Sequence, residues 1–191
     1  MTRALYRLRS TDPHKRAQAI RKLKETLPDE RRAEVVKALE PLLNDDDFFT
    51  RRDVIEALGV WGNKDTVPIL LKAMREKDTR GEAMKALGRL KDERAAEPLA
   101  ERLEEFFDRH EAAQALKSMG SIAEKVVIAR LNHHELHVRI TVCEILGAIG
   151  TKQSIPPLEK VIAAGKDIGA GENFIVAHTA EQALQAIKAR Q

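Results

Sequence analysis

Apolar positions along this 191-residue chain fall into stripes of helical period that return about every 30 residues. Six segments align: "KRAQAIRKLK" (15–24), "RRDVIEALGVWG" (51–62), "TRGEAMKALGRLK" (79–91), "DRHEAAQALKSMG" (108–120), "VRITVCEILGAIG" (138–150) and "VAHTAEQALQAIK" (176–188). In the first five an arginine stands seven residues before a leucine: Arg16/Leu23, Arg51/Leu58, Arg80/Leu87, Arg109/Leu116 and Arg139/Leu146. The sixth keeps Leu184 but has Ala177 in the arginine slot. Successive leucines are 35, 29, 29, 30 and 38 residues apart. Counting from the arginine, position +3 holds Ala19, Val54, Ala83, Ala112, Val142 and Ala180, and position +10 holds Thr26, Trp61, Leu90, Met119, Ile149 and Ile187. Offsets of 3, 7 and 10 share one helix face, so each segment is predicted to bury a single stripe. Small residues at +3 let a neighbouring helix come close.

After each stripe the pattern predicts a polar turn and a second apolar helix: "DERRAEVVKALEPLL" (29–43), "DTVPILLKAM" (65–74), "ERAAEPLAERL" (93–103), "AEKVVIARL" (123–131) and "SIPPLEKVI" (154–162). Pro68, Pro98, Pro156 and Pro157 fall in or near first turns, where a missing N–H costs little. Pro41 comes late in its segment and predicts a kink or an early end. Gly62, Gly120 and Gly150, all at +11, are expected to close first helices in the left-handed conformation. The repeats then run approximately 12–43, 48–75, 79–105, 108–131 and 136–163, within one domain spanning 1–191. Residues 163–175, including the glycine-rich "AAGKDIGAGENF", are expected to form an exposed mobile loop. A last helix over 176–190 has no second helix behind it; its His178, Glu181, Gln182, Gln185 and Lys188 suit a polar cap.

This helix–turn–helix unit resembles the HEAT repeat. "ALGRLKDERAAEPLAERL" (86–103) in particular is similar to the short HEAT-like repeats first associated with phycobilisome lyases. The resemblance extends over residues 12–162 and, as a half repeat, 176–190. It implies an all-α fold: a right-handed α–α superhelix (an α-solenoid, armadillo/HEAT-like) of about five helix pairs plus a terminal half repeat. It also implies first helices on the convex side, second helices on the concave side, and slot arginines that pair with an acid of a neighbouring unit.

Composition agrees with a helical reading: 43% of residues are hydrophobic, only 4% aromatic and 33% charged. The single cysteine, Cys143, excludes an internal disulfide and suits a reducing compartment. "MTRALYRLRS" is not followed by an apolar signal region, and no run approaches the length of a membrane span. A cytoplasmic protein is therefore expected. The net charge of +3 conceals an asymmetry, since residues 1–37 hold 11 Lys and Arg against 5 Asp and Glu, and the remainder 22 against 25. Interspersed acids make the basic part read first as solvated helix faces, and only second as a surface for phosphates.

The residues that could carry chemistry fall within this register. In "LNHHELHVR" (131–139) the histidines occupy the inter-repeat turn that elsewhere reads "NDDDFFT", "REKDT" and "EEFFD". The zinc-protease pattern fails because Val138 stands where the second histidine belongs, and "HEAAQ" (110–114) fails with Gln114. No metal or other cofactor is expected, though three titratable groups at one joint raise the question of pH sensitivity. Trp61 occupies a core slot, and Cys143 occupies the +4 slot shared with Ile20, Ile55, Met84 and Ala113. Phe48, Phe49, Phe106 and Phe107 stand in matching pairs before Arg51 and Arg109. One of each pair is expected to staple its helix start to the preceding unit, leaving the other exposed for binding.

The expected function is a non-enzymatic interaction scaffold that binds a protein or peptide on the concave face. Its candidate contacts are Lys72, Glu101, Arg102, Arg130 and Lys160 on second helices, with Phe49 and Phe107. Two alternatives stay open: a nucleic-acid-binding protein, using the basic N-terminal part, or a subunit of a bilin lyase-like enzyme. A glycosylase of the kind built on HEAT-like helices would need aromatics beside a catalytic acid, which one Tyr and one core Trp do not offer.

Overall fold

The computed structural model describes residues 2–166 and 171–190. Those residues are helix and turn, with no strand among them. They form two compact units, residues 1–90 and 91–191. No helix among the described residues is long and apolar enough to cross a membrane.

Unit 1 contains α1 (Thr2–Leu8), α2 (Pro13–Lys24), α3 (Arg32–Leu39), α4 (Phe48–Trp61), α5 (Val67–Ala73) and α6 (Arg80–Leu90). Short aspartates start two of the first helices. Asp12 accepts the His14 N–H at 2.9 Å, with Pro13 as the first helical residue, and Asp47 accepts the Thr50 N–H at 2.7 Å. The first helices α2, α4 and α6 pack in series, while α3 packs on α4 and α5 on α6. Tight hairpins therefore straddle the repeat boundaries. The stripe read from the sequence is the core: Ala19, Leu23, Val54, Leu58, Ala83 and Leu87 are buried. Trp61 is also buried, and its indole N–H donates to the Leu23 carbonyl at 2.8 Å, so its polar edge is satisfied inside the core. α3 ends at Leu39 and tightens into a 3₁₀ turn over Glu40–Asn44, which is the early end that Pro41 predicts. Helix α1 carries no element in the repeat reading; its Leu5 and Leu8, three residues apart, are buried and it packs on α2.

Unit 2 contains α7 (Ala96–Glu101), α8 (Arg109–Met119), α9 (Glu124–Ile128), α10 (Leu136–Ile149), α11 (Ile155–Lys166) and α12 (Glu172–Lys188). The scheme is the same, with α8, α10 and α12 in series and α7 on α8, α9 on α10 and α11 on α12. The loop expected over 163–175 is corrected at both ends, because α11 runs to Lys166 and α12 begins at Glu172; residues 167–170 lie outside the described residues. The reason is Gly165. A Cβ there would collide with the Ala177 side chain and lie 2.7 Å from the Asn173 carbonyl oxygen, so this glycine serves a close helix contact rather than a bend. On α12 His178, Gln182, Gln185 and Lys188 are exposed, as a polar cap requires.

The glycine caps also need correction. Gly62 (φ −68°, ψ 167°) and Gly150 (φ −61°, ψ 144°) are extended, and only Gly120 has positive φ, at 70°. Sterics explain the first two. A Cβ on Gly150 would lie 2.5 Å from the Leu146 carbonyl oxygen and 2.7 Å from Ile187, and one on Gly62 would strike the Leu58 carbonyl. Close helix approach is likewise made by glycine: a Cβ on Gly59 would lie 2.8 Å from Ala86 Cβ. In unit 2 a Cβ on Gly147 would lie 3.2 Å from Ala183 Cα.

The repeat arginines do more than pair with acids. Each hydrogen-bonds the carbonyls six and five residues before it. Arg16 reaches Ser10 and Thr11 (both 3.1 Å), Arg51 reaches Asp45 (2.8 Å) and Asp46 (3.0 Å), and Arg80 reaches Met74 (3.1 Å) and Arg75 (3.2 Å). Arg109 reaches Leu103 (2.6 Å) and Glu104 (3.1 Å), and Arg139 reaches His133 and His134 (both 2.8 Å). The guanidinium fork thus satisfies the otherwise unpaired carbonyls of the inter-repeat turn. Arg16, Arg51 and Arg109 also approach a carboxylate one repeat on: Asp45 (2.9 Å), Asp78 (3.5 Å) and Glu135 (3.2 Å).

Candidate functional site

In unit 1 the second helices leave a groove of about 740 Å³. Its floor is apolar, from Leu43, Ile55, Ile69 and Ala73; its rim carries Glu40, Asn44, Lys72, Glu76, Lys77 and Asp78. Pro41 shapes one wall by turning the end of α3 into the 3₁₀ segment that presents Leu43 and Asn44. The turn after α5 shapes the other: the buried Thr79 donates its hydroxyl to the Ala73 carbonyl at 2.8 Å, and Arg51 reaches Asp78. The arginine that clamps the joint, Arg51, therefore also lines the groove. A volume in the range of ligand pockets with an apolar floor and a rim of both signs suits an apolar side chain flanked by polar ones.

The contacts expected from sequence divide. Lys72 is exposed on the groove rim, and Phe49, at the start of α4, is 69% exposed. In unit 2 Glu101 closes α7, and Arg102 and Phe107 lie in the turn after it; Lys160 is exposed on α11. Two of the arginines are engaged within the chain. Arg102 Nη1 lies 3.5 Å from Asp108, and Arg130 pairs with Glu97 at 2.7 Å with its side chain 13% exposed. Of the phenylalanines expected to staple a helix start, Phe48 is half-buried with Arg51 and Arg52 of its own helix over its ring, whereas Phe106 and Phe107 are 77% and 89% exposed, so neither ring of that pair is buried. Leu103, fully buried, already fills the apolar position at that joint. The groove residues Glu40, Asn44, Glu76, Lys77 and Asp78 were not singled out from sequence, where they read as ordinary turn and helix-end polar residues.

The histidine turn is built from hydrogen bonds. His133 Nδ1 accepts the Glu135 N–H at 3.1 Å, its Nε2 lies 3.4 Å from Glu104 Oε1, and its ring is 4.3 Å from that of His134. Among the described residues no group of three or more His, Cys, Asp or Glu side chains is placed to hold a metal. Cys143 is buried, and burial pushes its thiol up to about 12, which leaves no thiolate for nucleophilic chemistry. The buried acids are tied into the fold. Glu82 pairs with Arg52, and Glu124 accepts the Thr151 N–H (2.7 Å) and the Ser154 hydroxyl (2.6 Å). Lys24 bridges Asp53 and Glu56, both at 2.6 Å.

Comparison with known proteins bears on the architecture. A family model described as HEAT repeats matches residues 2–80, 36–117 and 107–185. No curated protein matches. Two engineered proteins solved by the Northeast Structural Genomics Consortium share the fold. One is 19% identical, with a TM-score of 0.56 over 97% of this chain and 95% of its own. The other is 20% identical, with a TM-score of 0.53 over 97% of this chain and 60% of its own. Human deoxyhypusine hydroxylase in complex with glycerol matches at 19% identity and a TM-score of 0.41, over 96% of this chain and 83% of its own. With arginine-clamped helix pairs recurring through both units and the family model matching from residue 2 to 185, the chain belongs to the HEAT-repeat family.

Proposed function

We propose that this protein is a non-enzymatic scaffold of the cytoplasm, working as one domain, that holds a protein or peptide partner against its second helices with the unit 1 groove as the main seat. The observation that carries the reading is the make-up of that groove: an apolar floor of Leu43, Ile55, Ile69 and Ala73 with a rim that carries both signs, from Glu40, Lys72, Glu76, Lys77 and Asp78. Such a rim has no continuous positive track for a phosphate backbone. It matches a peptide that inserts an apolar residue and presents polar groups of both signs around it. The placement of second helices on a concave face follows from the family resemblance. Phe49 in unit 1 and Glu101, Phe107 and Lys160 in unit 2 are exposed and serve this reading as secondary contacts, each within its own unit.

The test is affinity capture from the source cell with untreated and nuclease-treated extracts in parallel, followed by titration of the purified partner. Ala73→Trp fills the groove at a half-buried position, and Lys72→Glu inverts its rim. Ala73→Trp is expected to weaken the partner by roughly tenfold or more with an unchanged melting temperature. Undiminished affinity would remove the groove from the reading. Retention of nucleic acid that is released by salt, in place of a protein, would overturn the scaffold itself.

A further inference from the structure

The two phenylalanine pairs stand three and two residues before a slot arginine, in unit 1 and unit 2 alike. Their surroundings differ. In unit 1 the face of Phe48 is taken by the chain's own guanidinium groups, with Arg52 5.4 Å and Arg51 6.0 Å from the ring centroid. In unit 2 the position of Arg52 is filled by His110, and among the described residues no guanidinium lies over Phe106 or Phe107. These two rings form an edge-on pair, 5.3 Å apart at 83°, and are the most open phenylalanines described.

Acidic residues lie close to them in sequence, together with Arg102, whose guanidinium is 3.5 Å from Asp108. Consecutive turns wind the backbone from Glu101 to Arg109: the N–H groups of Glu104, Glu105 and Asp108 donate to the carbonyls of Glu101, Arg102 and Glu105 at 3.3, 3.2 and 3.0 Å. Glu101, Glu104 and Glu105 are exposed on the same tight segment as the rings. Glu104 also lies 3.4 Å from His133.

We propose that the Phe106–Phe107 turn docks an arginine side chain of a partner protein, stacked on the rings and paired with the carboxylates of Glu101 and Glu105. The chain supplies its own precedent, since an arginine already occupies the matching ring in unit 1. Arginine fits better than lysine because a planar, weakly hydrated guanidinium stacks on a ring and pairs with a carboxylate at once. A purely apolar partner would leave the carboxylates to be desolvated unpaired, and an acidic segment or a nucleic acid would be repelled. The inference rests on the scaffold reading and names one chemical feature of the partner.

The test uses the full chain and a short fluorescein-labelled peptide carrying several arginines and one leucine, followed by anisotropy. Its lysine and glutamate counterparts serve as controls. The arginine peptide is expected to bind, the lysine peptide several-fold more weakly, and the glutamate peptide not at all. Phe106→Ala/Phe107→Ala should weaken the arginine peptide by roughly tenfold with an unchanged melting curve. Phe48→Ala should leave it unaffected. His110→Arg, which supplies the guanidinium that unit 1 carries, should compete with the peptide and weaken it. Equal binding to the double variant, or equal binding of arginine and lysine peptides, overturns the proposal. So does an arginine peptide that fails to bind, an outcome that leaves the groove and its Ala73→Trp test standing.

Discussion

The turns before α4 and α8 are written almost alike, "FFTRRD" (48–53) and "FFDRHE" (106–111), yet the first half-buries Phe48 and the second leaves both rings exposed. The difference begins four residues before the slot arginine. There Asp47 accepts both the N–H and the hydroxyl of Thr50 at 2.7 Å, which starts α4 at Phe48 and lays that ring beneath Arg51 and Arg52. The matching residue in unit 2 is Glu105, a poor N-cap, and α8 begins only at Arg109 with no side-chain cap from Asp108. The phenylalanines of that joint stay in the turn. A repeat thus sets where a residue stands; a single capping side chain decides whether it is half-buried or left open.

What the two joints share is the arginine clamp, and removing it should have the largest effect. Arg51→Ala and Arg109→Ala each forfeit two carbonyl hydrogen bonds and an ion pair, and each is expected to lower stability by about 2–3 kcal/mol in urea unfolding. Similar losses would establish the clamp as common to both units; a loss in one alone would break the likeness. Lysine at either site should not restore stability, because it lacks the fork.

The phenylalanines should then separate the joints. Phe48→Ala removes a half-buried ring and its guanidinium contacts, at an expected cost of about 1–2 kcal/mol. Phe106→Ala should change stability by less than about 0.5 kcal/mol, as exposed substitutions do. Equal costs in thermal unfolding would contradict the structural difference between the turns.

The smallest effect concerns acid. Burial pushes the Glu82 carboxyl up, but the hydrogen bond from Arg52 prevails and holds it below its ordinary value of 4.5. Because the folded value lies below the unfolded one, the stabilisation is present above about 4.5 and is lost as pH falls through the folded value. Acidification should therefore destabilise the wild type slightly more than Glu82→Gln, measured as melting temperature against pH. The partly exposed guanidinium keeps the effect modest. A parallel pH dependence in the two proteins would assign the acid sensitivity elsewhere, for instance to carboxylates such as Asp47 whose bond to Thr50 also lowers them.

Much of the architecture was legible because the stripe is local. Ala19, Val54, Ala83, Ala112, Val142 and Ala180 recur at one offset, and all six are buried. Trp61 was legible as core for the same reason, although its bond to Leu23, 38 residues away, was not. The glycines misled because their usual signal is conformational. Gly62, Gly150 and Gly165 are instead required by neighbours that the sequence does not place beside them: the Leu58 carbonyl and Thr66, Ile187, and Ala177 with Asn173. The groove was legible through Lys72 alone, since the opening depends on where the end of α3 and the turn after α5 come to rest.

By itself, then, the sequence determined the helix pairs, the repeat register and the buried stripe, because those depend on residues three to seven apart on one helix face. Only the tertiary structure decided what the slot arginines hold, how Gly59 and Gly147 bring helices together, and which phenylalanines remain open to a partner. These are contacts made across a turn or between segments about a repeat apart, or choices made by one cap, and a periodic pattern reads the same whichever way they fall.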